Sequence, residues 1–423
     1  MSKSIYAAQE NGSQFTGTLQ VNVTSSVGFL PVRGATVTIS NTDTPEVIID
    51  QLTTDESGQT QQVELSAPDL EYSMEPSEPR PYTDYNIEVT APGFEPVHIV
   101  GSEILPNELS LQAVSMNPLE VSEGQPEEDI NIPDHTLYGE YPPKIPEDEI
   151  KIDPETGEII LSRVVIPEYV VVHDGLPNDS SAPNYYIRYK DYIKNVASSE
   201  IYATWPESTI YANILAIQSF TLNRVYTEWY RAKGYPFTIT TSTAYDQKFI
   251  YGRNIYSNID RLVDSIFANF LSRPGIQQPI FTSYCDGNRV TCQGLSQWGS
   301  KFLGDEGYSA IEIIRYYYGN DMYINSATAV SGVPSSWPGY NLSIGASGGK
   351  VRQIQEQLNR ISQNFPAIPR ITADGVFGSR TAEAVRAFQR IFNLPASGIV
   401  DYPTWYEISN IYVGVSRLSE PGT

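Results

Sequence analysis

The chain has 423 residues, which is too long for one ordinary domain and suggests roughly two to four. Hydrophobic residues make up 40% of it, enough for packed cores, which excludes a chain that is disordered throughout. The formal charge of −23 disfavours nucleic acids and anionic membrane surfaces as partners, because both would repel the protein. No run approaches the roughly 18 apolar residues of a membrane span, and the N-terminus lacks the apolar core of a classical signal peptide.

Residues 1–116 are expected to form an all-β domain. Period-two alternation of apolar and polar side chains predicts strands at Thr18–Val23, Ala35–Ile39 and Tyr85–Val89. Together with the Asp55–Gly58 turn and Pro92-Gly93-Phe94, these runs resemble the transthyretin-like or carboxypeptidase-regulatory-like β-sandwich. The resemblance implies a structural module, and an inhibitory or folding pre-domain is the functional alternative.

Residues 117–163 combine prolines with acidic residues. Between Glu123 and Glu158 twelve acidic residues stand against Lys144 and Lys151. Proline removes backbone donors and like charges repel, so we expect an extended linker that a protease can reach. The segment is then either a passive tether or a cleaved pro-segment.

A central domain is expected over residues 164–328, beginning with a β run that ends at His173, a histidine we expect to be structural. An apolar run from Tyr192 is predicted to be a strand that ends at Glu200. A long helix with one buried face is predicted after Pro206, and we expect a second helix at Ile259–Leu271 and a strand at Pro279–Tyr284. The apolar stripe of the long helix is Ile210, Ile214, Ile217, Thr221 and Val225.

Two carboxylates, Glu200 and Glu207, bracket the start of that helix. Packing can hold such a side chain in place, and partial desolvation can raise its pKa, as a general acid requires. We expect the acid to pack against Tyr202 and Trp205. Solvated turn residues are the alternative interpretation of both glutamates.

The central sequence resembles the SpoIID-like family of peptidoglycan lytic enzymes. The resemblance is carried by the stretches Tyr192–Glu200, Ala212–Phe220, Gly294–Lys301 and Gly307–Gly319. It implies that Ser296 and Gln297 bind sugar hydroxyls and acetamido groups, for which their donors and acceptors are suited.

The chain departs from the family pattern at two positions. Thr291 stands where family members often carry a histidine that can help to hold zinc, so we expect no metal. Ser208 stands at the family's catalytic glutamate, which leaves either Glu207 or Glu200 as the acid, with a slight preference for Glu207.

Cysteine and histidine are too sparse for a four-ligand zinc site, so we expect neither a metal nor another cofactor. Cys285 and Cys292 can form one bridge or remain free, and we favour free thiols.

After a Ser/Gly/Pro-rich linker at 329–344, residues 345–415 resemble the three-helix peptidoglycan-binding domain of cell-wall hydrolases. One helical stripe contains Val351, Ile354 and Leu358, and the other contains Ala384, Val385 and Phe388. Most of these residues are expected to be core and turn residues. Asp374 and Gln389 are the candidates for ligand contact.

Taken together, the chain resembles the SleC-type germination-specific spore cortex-lytic enzymes of clostridia. The fold class is therefore multidomain: an N-terminal all-β sandwich, a central α+β SpoIID-like domain and a C-terminal three-helix domain. The resemblance implies a lytic transglycosylase of spore cortex peptidoglycan, located in the spore cortex or coat region. It also implies a zymogen activated by a subtilisin-like Csp protease. A hydrolytic glycosidase and a non-catalytic wall-binding scaffold are the alternatives.

Overall fold

The computed structural model describes residues 15–119, 128–139, 141–150 and 163–416. The N-terminal part consists of strands and one short helix. Its elements are β1 (Phe15–Ser25), β2 (Thr36–Asn41), β3 (Thr44–Thr53), β4 (Val63–Ala67), α1 (Glu71–Met74), β5 (Thr83–Thr90), β6 (Val97–Ile104), β7 (Leu109–Met116) and β8 (Glu128–Asn131). Strands are present at the three places where alternation predicted them, because a strand that buries one face alternates with period two.

Two sheets enclose the core of this part. One has the order β3-β2-β5-β6-β8, and the other contains β4-β1-β7. Leu19, Val21 and Val23 of β1 point into a core shared by both sheets, and each is fully buried. β8 comes from the acidic segment and pairs in parallel with β6. The acidic segment is therefore attached to the sheet here, which differs from the free linker that its composition predicted.

The central part is built from helices and short strands. Its first elements are β9 (Val165–Ile166), β10 (Tyr169–His173), β11 (Asn184–Arg188), α2 (Tyr189–Glu200), α3 (Glu207–Tyr226), a 3₁₀ turn (Arg231–Lys233), β12 (Ile239–Thr240) and β13 (Ile255–Tyr256). These are followed by α4 (Ser257–Ile266), β14 (Asn269–Ser272), β15 (Tyr284–Cys285), β16 (Leu295–Ser296), α5 (Gln297–Asp305), α6 (Ala310–Tyr318), β17 (Tyr323–Ser326) and β18 (Ala329–Val330).

The predicted long helix is present as α3, which starts directly after Pro206. Its burial differs from the prediction of one buried face, since nearly every residue from Thr209 to Arg224 is buried. Several polar side chains on its remaining faces donate hydrogen bonds inside the protein: Asn213 donates to Ser300 Oγ at 2.8 Å, and Asn223 to the Pro279 carbonyl at 2.9 Å. α3 is thus the central helix of this part.

The strand predicted at Tyr192–Glu200 is wrong, because this stretch is the helix α2. Its large apolar side chains recur three and four residues apart, at Tyr189, Tyr192, Ile193 and Val196, which is helical spacing. The predicted second helix is present as α4, but it ends at Ile266 instead of Leu271. The strand β14 follows it and pairs with β17. Of the strand predicted at Pro279–Tyr284, only Tyr284 lies in a strand.

Three helices follow the central part: α7 (Gly349–Ile361), α8 (Ser379–Ile391) and α9 (Tyr402–Ser416). Both predicted stripes are buried, with Leu358 and Phe388 fully enclosed. The preceding segment 329–344 is held in place rather than loose. Leu342 forms a β-bridge with Val400, and the Trp405 indole donates to the Ser335 carbonyl at 3.2 Å.

The N-terminal and central parts share a sheet. β13 pairs with β7 and completes the order β13-β7-β1-β4. Next to this junction, Arg253 forms a buried ion pair of 2.9 Å with Glu103, and Asn254 hydrogen-bonds the backbone of Glu103 through both ends of its amide. The N-terminal part is therefore docked on the central part through polar contacts as well as apolar ones.

Cys285 and Cys292 form a disulfide, so the expectation of free thiols is wrong. Their Cα atoms lie 6.0 Å apart because β15 and a tight turn at Asp286–Val290 bring the chain back on itself. Sequence spacing alone did not reveal this geometry.

Within the described ranges, no helix is both long and apolar enough to span a bilayer.

Candidate active site

Glu200 is a fully buried carboxylate at the end of α2. Its Oε1 accepts a hydrogen bond of 2.6 Å from the Lys248 backbone N–H. The Gln297 side-chain nitrogen, on the first residue of α5, lies 3.5 Å from its Oε2, and the Tyr284 hydroxyl lies beside the carboxylate. Three elements far apart in the sequence therefore meet at one acidic group.

Burial raises the pKa of the Glu200 carboxyl, because the charged form loses its hydration. The nearby Lys144 ammonium and the hydrogen bond from the Lys248 backbone act in the opposite direction, yet the pKa stays above its ordinary value. Glu200 is therefore able to hold a proton at a higher pH than an exposed glutamate.

Gln297 is held rigidly next to this acid. It is 1% exposed, and its backbone carbonyl accepts a 2.6 Å hydrogen bond from Ser300 Oγ. Among the described residues, its side-chain oxygen has no hydrogen-bond partner. A buried acceptor without a partner is costly, so this oxygen would gain from any hydrogen-bond donor that reaches it.

Ser296 caps α5 rather than facing the acid. Its Oγ accepts the Gly299 N–H at 2.9 Å, as an N-cap serine does. Gly287, at φ +76°, lies so close that a Cβ there would overlap Ser296 Oγ. The structure thus brings Gln297 to Glu200 and gives Ser296 a positioning role, which differs from the predicted sugar contact.

Glu207 is the first residue of α3, and it is exposed. Water therefore reaches its carboxylate. Tyr202 and Trp205, expected to pack on the acid, instead stack with other rings: Tyr202 lies 4.5 Å from His135 and Trp205 lies 5.0 Å from Trp298, between ring centroids. We therefore favour Glu200 over Glu207, reversing the preference drawn from the sequence.

Other carboxylates near the site are already occupied by protein groups. Asp286 accepts hydrogen bonds from the backbone N–H groups of Asn288, Arg289 and Val290. Asp246 binds Arg224 at 2.7 Å and also accepts from Tyr230 and Thr240. These acids hold turns and strands in place, which distinguishes them from Glu200.

Sequence reasoning missed four residues around Glu200: Lys144, Tyr141, Lys248 and Tyr284. Lys144 and Tyr141 belong to the acidic segment, and Lys248 and Tyr284 are isolated polar residues in loops and short strands. No periodicity or motif marks such positions, because only the tertiary fold brings them together.

Two buried glutamines organise the C-terminal helices in the same way. Gln355 of α7 accepts from the Gly375 N–H at 2.8 Å and donates to Thr381 Oγ1 at 3.1 Å. Gln389 of α8 accepts from the Gly398 N–H at 2.8 Å and donates to Thr404 Oγ1 at 3.0 Å. Each glutamine fixes a glycine turn to the start of the next helix, so the module is an internal repeat.

Both residues predicted to contact a ligand in this domain lie at the turns of the repeat, and only Gln389 is buried. Gln389 is fully buried and its amide is used within the module, so it positions a turn instead of touching a glycan. Asp374 is exposed, and its Oδ1 accepts from Val376 N–H at 2.9 Å and from Gln355 at 3.1 Å. It shapes the first turn, and its second oxygen faces outwards.

The C-terminal region matches a known family. Residues 347–408 match the family described as "Putative peptidoglycan binding domain". The chain carries a peptidoglycan-binding domain. This domain contains α7, α8 and the first half of α9, and it binds the protein to peptidoglycan, the mesh of glycan strands and peptides of the bacterial wall.

Other comparisons add little. The comparison with curated proteins found no match. Among solved structures, hydroxyquinol 1,2-dioxygenase from Pseudomonas putida DLL-E4 is 12% identical, with a TM-score of 0.18, and the match covers 26% of this chain and 58% of that one. The minor pilin GBS52 of Streptococcus agalactiae is 12% identical, with a TM-score of 0.18, and 25% of this chain and 45% of that one are covered. Similarities this weak and partial carry no functional argument.

Proposed function

We propose that this protein is a peptidoglycan lytic transglycosylase in which Glu200 is the catalytic acid and base. The observation that carries the proposal is the buried, pKa-raised carboxyl of Glu200 beside the buried amide of Gln297. The peptidoglycan-binding domain supplies the polymer on which such an acid would act.

In the proposed reaction, protonated Glu200 donates its proton to the glycosidic oxygen between N-acetylmuramic acid and N-acetylglucosamine. The C1–O bond breaks as an oxocarbenium-like centre develops at C1 of the muramic residue. The Glu200 carboxylate then takes the proton of the muramyl C6 hydroxyl, whose oxygen bonds to C1. The products are a 1,6-anhydro end and a free N-acetylglucosamine hydroxyl.

One carboxyl group is sufficient for this chemistry, since neither water nor a second nucleophilic carboxylate takes part. The engagement of Asp246 and Asp286 by backbone and side-chain donors favours this reaction over a two-carboxylate hydrolysis. The free Gln297 oxygen is placed to accept a hydrogen bond from a sugar hydroxyl or acetamido group near the acid.

We further propose that the natural substrate is spore cortex peptidoglycan, cleaved during germination in the cortex or coat region. In this proposal the protein is a zymogen activated by a subtilisin-like Csp protease. These points rest on the sequence resemblance described above.

Separate Glu200→Gln and Glu207→Gln variants test the assignment. Glutamine keeps the shape of the side chain and cannot donate the proton, so Glu200→Gln should lower release of anhydro-muropeptides by about 100-fold or more, as loss of a general acid does. Glu207→Gln is the matched control and should retain activity. Mass spectrometry of digested cortex peptidoglycan, with protein cut in the acidic segment, gives the measurement.

Wild-type products with reducing ends would instead indicate a hydrolytic glycosidase. An active Glu200→Gln variant would disprove the site assignment. No cleavage by any form, with wall binding intact, would indicate a non-catalytic wall-binding protein.

A further inference from the structure

Residues 141–150 of the acidic segment lie across the candidate active site. The Ile145 N–H donates to the Ala244 carbonyl at 2.8 Å, and the Phe281 N–H donates to the Glu149 carbonyl at 2.8 Å. Pro142, Pro143 and Pro146 keep this stretch extended, so it lies on the surface as a strap. We call residues 141–150 the strap.

The strap brings Lys144 to the acid. The Lys144 ammonium donates to the Asp246 carbonyl and lies 4.5 Å from the centre of the Tyr284 ring and 5.1 Å from that of Phe220. It is near enough to Glu200 to favour the charged carboxylate. Tyr141, the first residue of the strap, is 6% exposed and also lies near Glu200.

Two glutamates of the strap are held by arginines of the central part. Glu147 binds Arg224 through both carboxylate oxygens, at 2.7 and 2.6 Å. Glu149 binds Arg273 through both oxygens as well, one of them at 2.9 Å. Paired contacts of this kind match the planar guanidinium to a carboxylate and give geometric specificity.

Each arginine also has a partner of its own on a different nitrogen. Arg224 uses Nε for Asp246, and Arg273 uses Nη1 for Asp321. The guanidinium groups are therefore positioned independently of the strap. If the strap leaves, each still presents an oriented pair of N–H donors to a carboxylate.

We propose that the surface beneath the strap is the binding site for a peptide-bearing glycan strand, in which Arg224 and Arg273 bind stem-peptide carboxylates and the strap is a built-in competitor. Stem peptides of peptidoglycan carry free carboxylates, which Glu147 and Glu149 imitate. This inference rests on the proposed function, since it takes the site of Glu200 to be where the strand is cut.

The experiment uses the full chain in a Glu200→Gln background, which prevents turnover. Glu147→Gln/Glu149→Gln should weaken the strap, because each change removes one charged oxygen from a paired contact. Calorimetry should then show that soluble peptide-bearing strands bind this variant about tenfold more tightly than they bind the Glu200→Gln parent. Glu46→Gln/Glu64→Gln, on exposed strands of the N-terminal part, is the matched control and should change nothing.

Adding Arg273→Gln to the loosened variant separates the subsite from the strap. Binding of peptide-bearing strands should fall about tenfold, while strands stripped of peptides by an amidase should bind as before. Binding by the C-terminal domain is common to all variants, so the differences in affinity between variants report on the strap and the arginines.

Equal binding by the parent and the loosened variant would overturn the inference, and so would an equal loss for both kinds of strand on Arg273→Gln. Binding as expected, with no anhydro products when the same variants are made with Glu200 intact, would support the binding surface and refute the proposed reaction.

Discussion

At the scale of single residues, the position of a carboxyl group in the fold decides its chemistry. Glu200 and Glu207 are seven residues apart and chemically identical, but one is fully buried and the other exposed. Burial raises the pKa of the Glu200 carboxyl. The titratable groups that face it are Lys144 and Tyr141 from the strap, Lys248 from a loop and Tyr284 from β15.

Lys144 should control the titration of Glu200. Its ammonium lowers the pKa of the carboxyl, so Lys144→Met should move the titration midpoint upwards and extend the protonated form to higher pH. Infrared difference spectra against Glu200→Gln isolate the carboxyl band. Lys350→Met, in the C-terminal domain, is the control and should leave the midpoint in place.

The raised pKa of Glu200 also makes the stability of the protein depend on pH. The native state holds the Glu200 proton at pH values where the unfolded chain has lost it. The contribution of this group to the free energy of unfolding therefore falls as pH rises from its ordinary pKa of about 4.5 through the native pKa.

In the Lys144→Met test, an unchanged titration midpoint of Glu200 would mean that the strap does not act on this carboxyl.

At the scale of elements, buried polar groups hold turns in place that the packing of apolar stripes does not hold. In the peptidoglycan-binding domain the stripes of α7 and α8 form the core, but Gln355 and Gln389 hold the glycine turns between the helices. Gly375 and Gly398 have φ of +77° and +74°, a conformation that favours glycine. The helices are thus joined by hydrogen bonds as well as by packing.

Gln389→Ala should destabilise this domain by about 1–3 kcal/mol, because it leaves the buried Gly398 N–H and Ile399 carbonyl without their partner. Hydrogen exchange of peptides from residues 379–408 in the full chain measures the loss. Gln363→Ala, at an exposed position of the same domain, is the control. Equal protection in both variants would contradict the structural role of Gln389.

At the scale of the whole molecule, the N-terminal and central parts form a continuous structure. β13 extends the N-terminal sheet, and the ion pair of Glu103 and Arg253 lies beside it with side-chain exposures of 1% and 0%. The acidic segment runs from β8 on the N-terminal part to the strap on the central part. Docking of the two parts therefore determines where the strap lies.

Arg253→Leu should lower the free energy of unfolding by about 3–5 kcal/mol, because it leaves the buried Glu103 carboxylate without its cation. Arg33→Leu removes a partner from the exposed pair with Glu56 and should have almost no effect. Calorimetric melting of the full chain compares them. Similar melting of the two variants would show that the buried pair does not hold the parts together.

The amino-acid sequence by itself determined the elements whose stabilisation is local. Period-two alternation located strands of the N-terminal part, and helical spacing located α3, α7 and α8, because burial of one side of an element repeats along the chain. The prediction of a strand failed at α2, although Tyr189, Tyr192 and Val196 recur there at helical spacing. The sequence identified both glutamates as candidates, but not which of them is buried.

Only the tertiary structure decided which glutamate is buried, that Cys285 pairs with Cys292, and that Lys144 lies at Glu200. Burial, pairing and electrostatic contact depend on distances between residues far apart in the sequence. No local pattern encodes those distances, since they are set when β13 joins the N-terminal sheet and the strap crosses the central part.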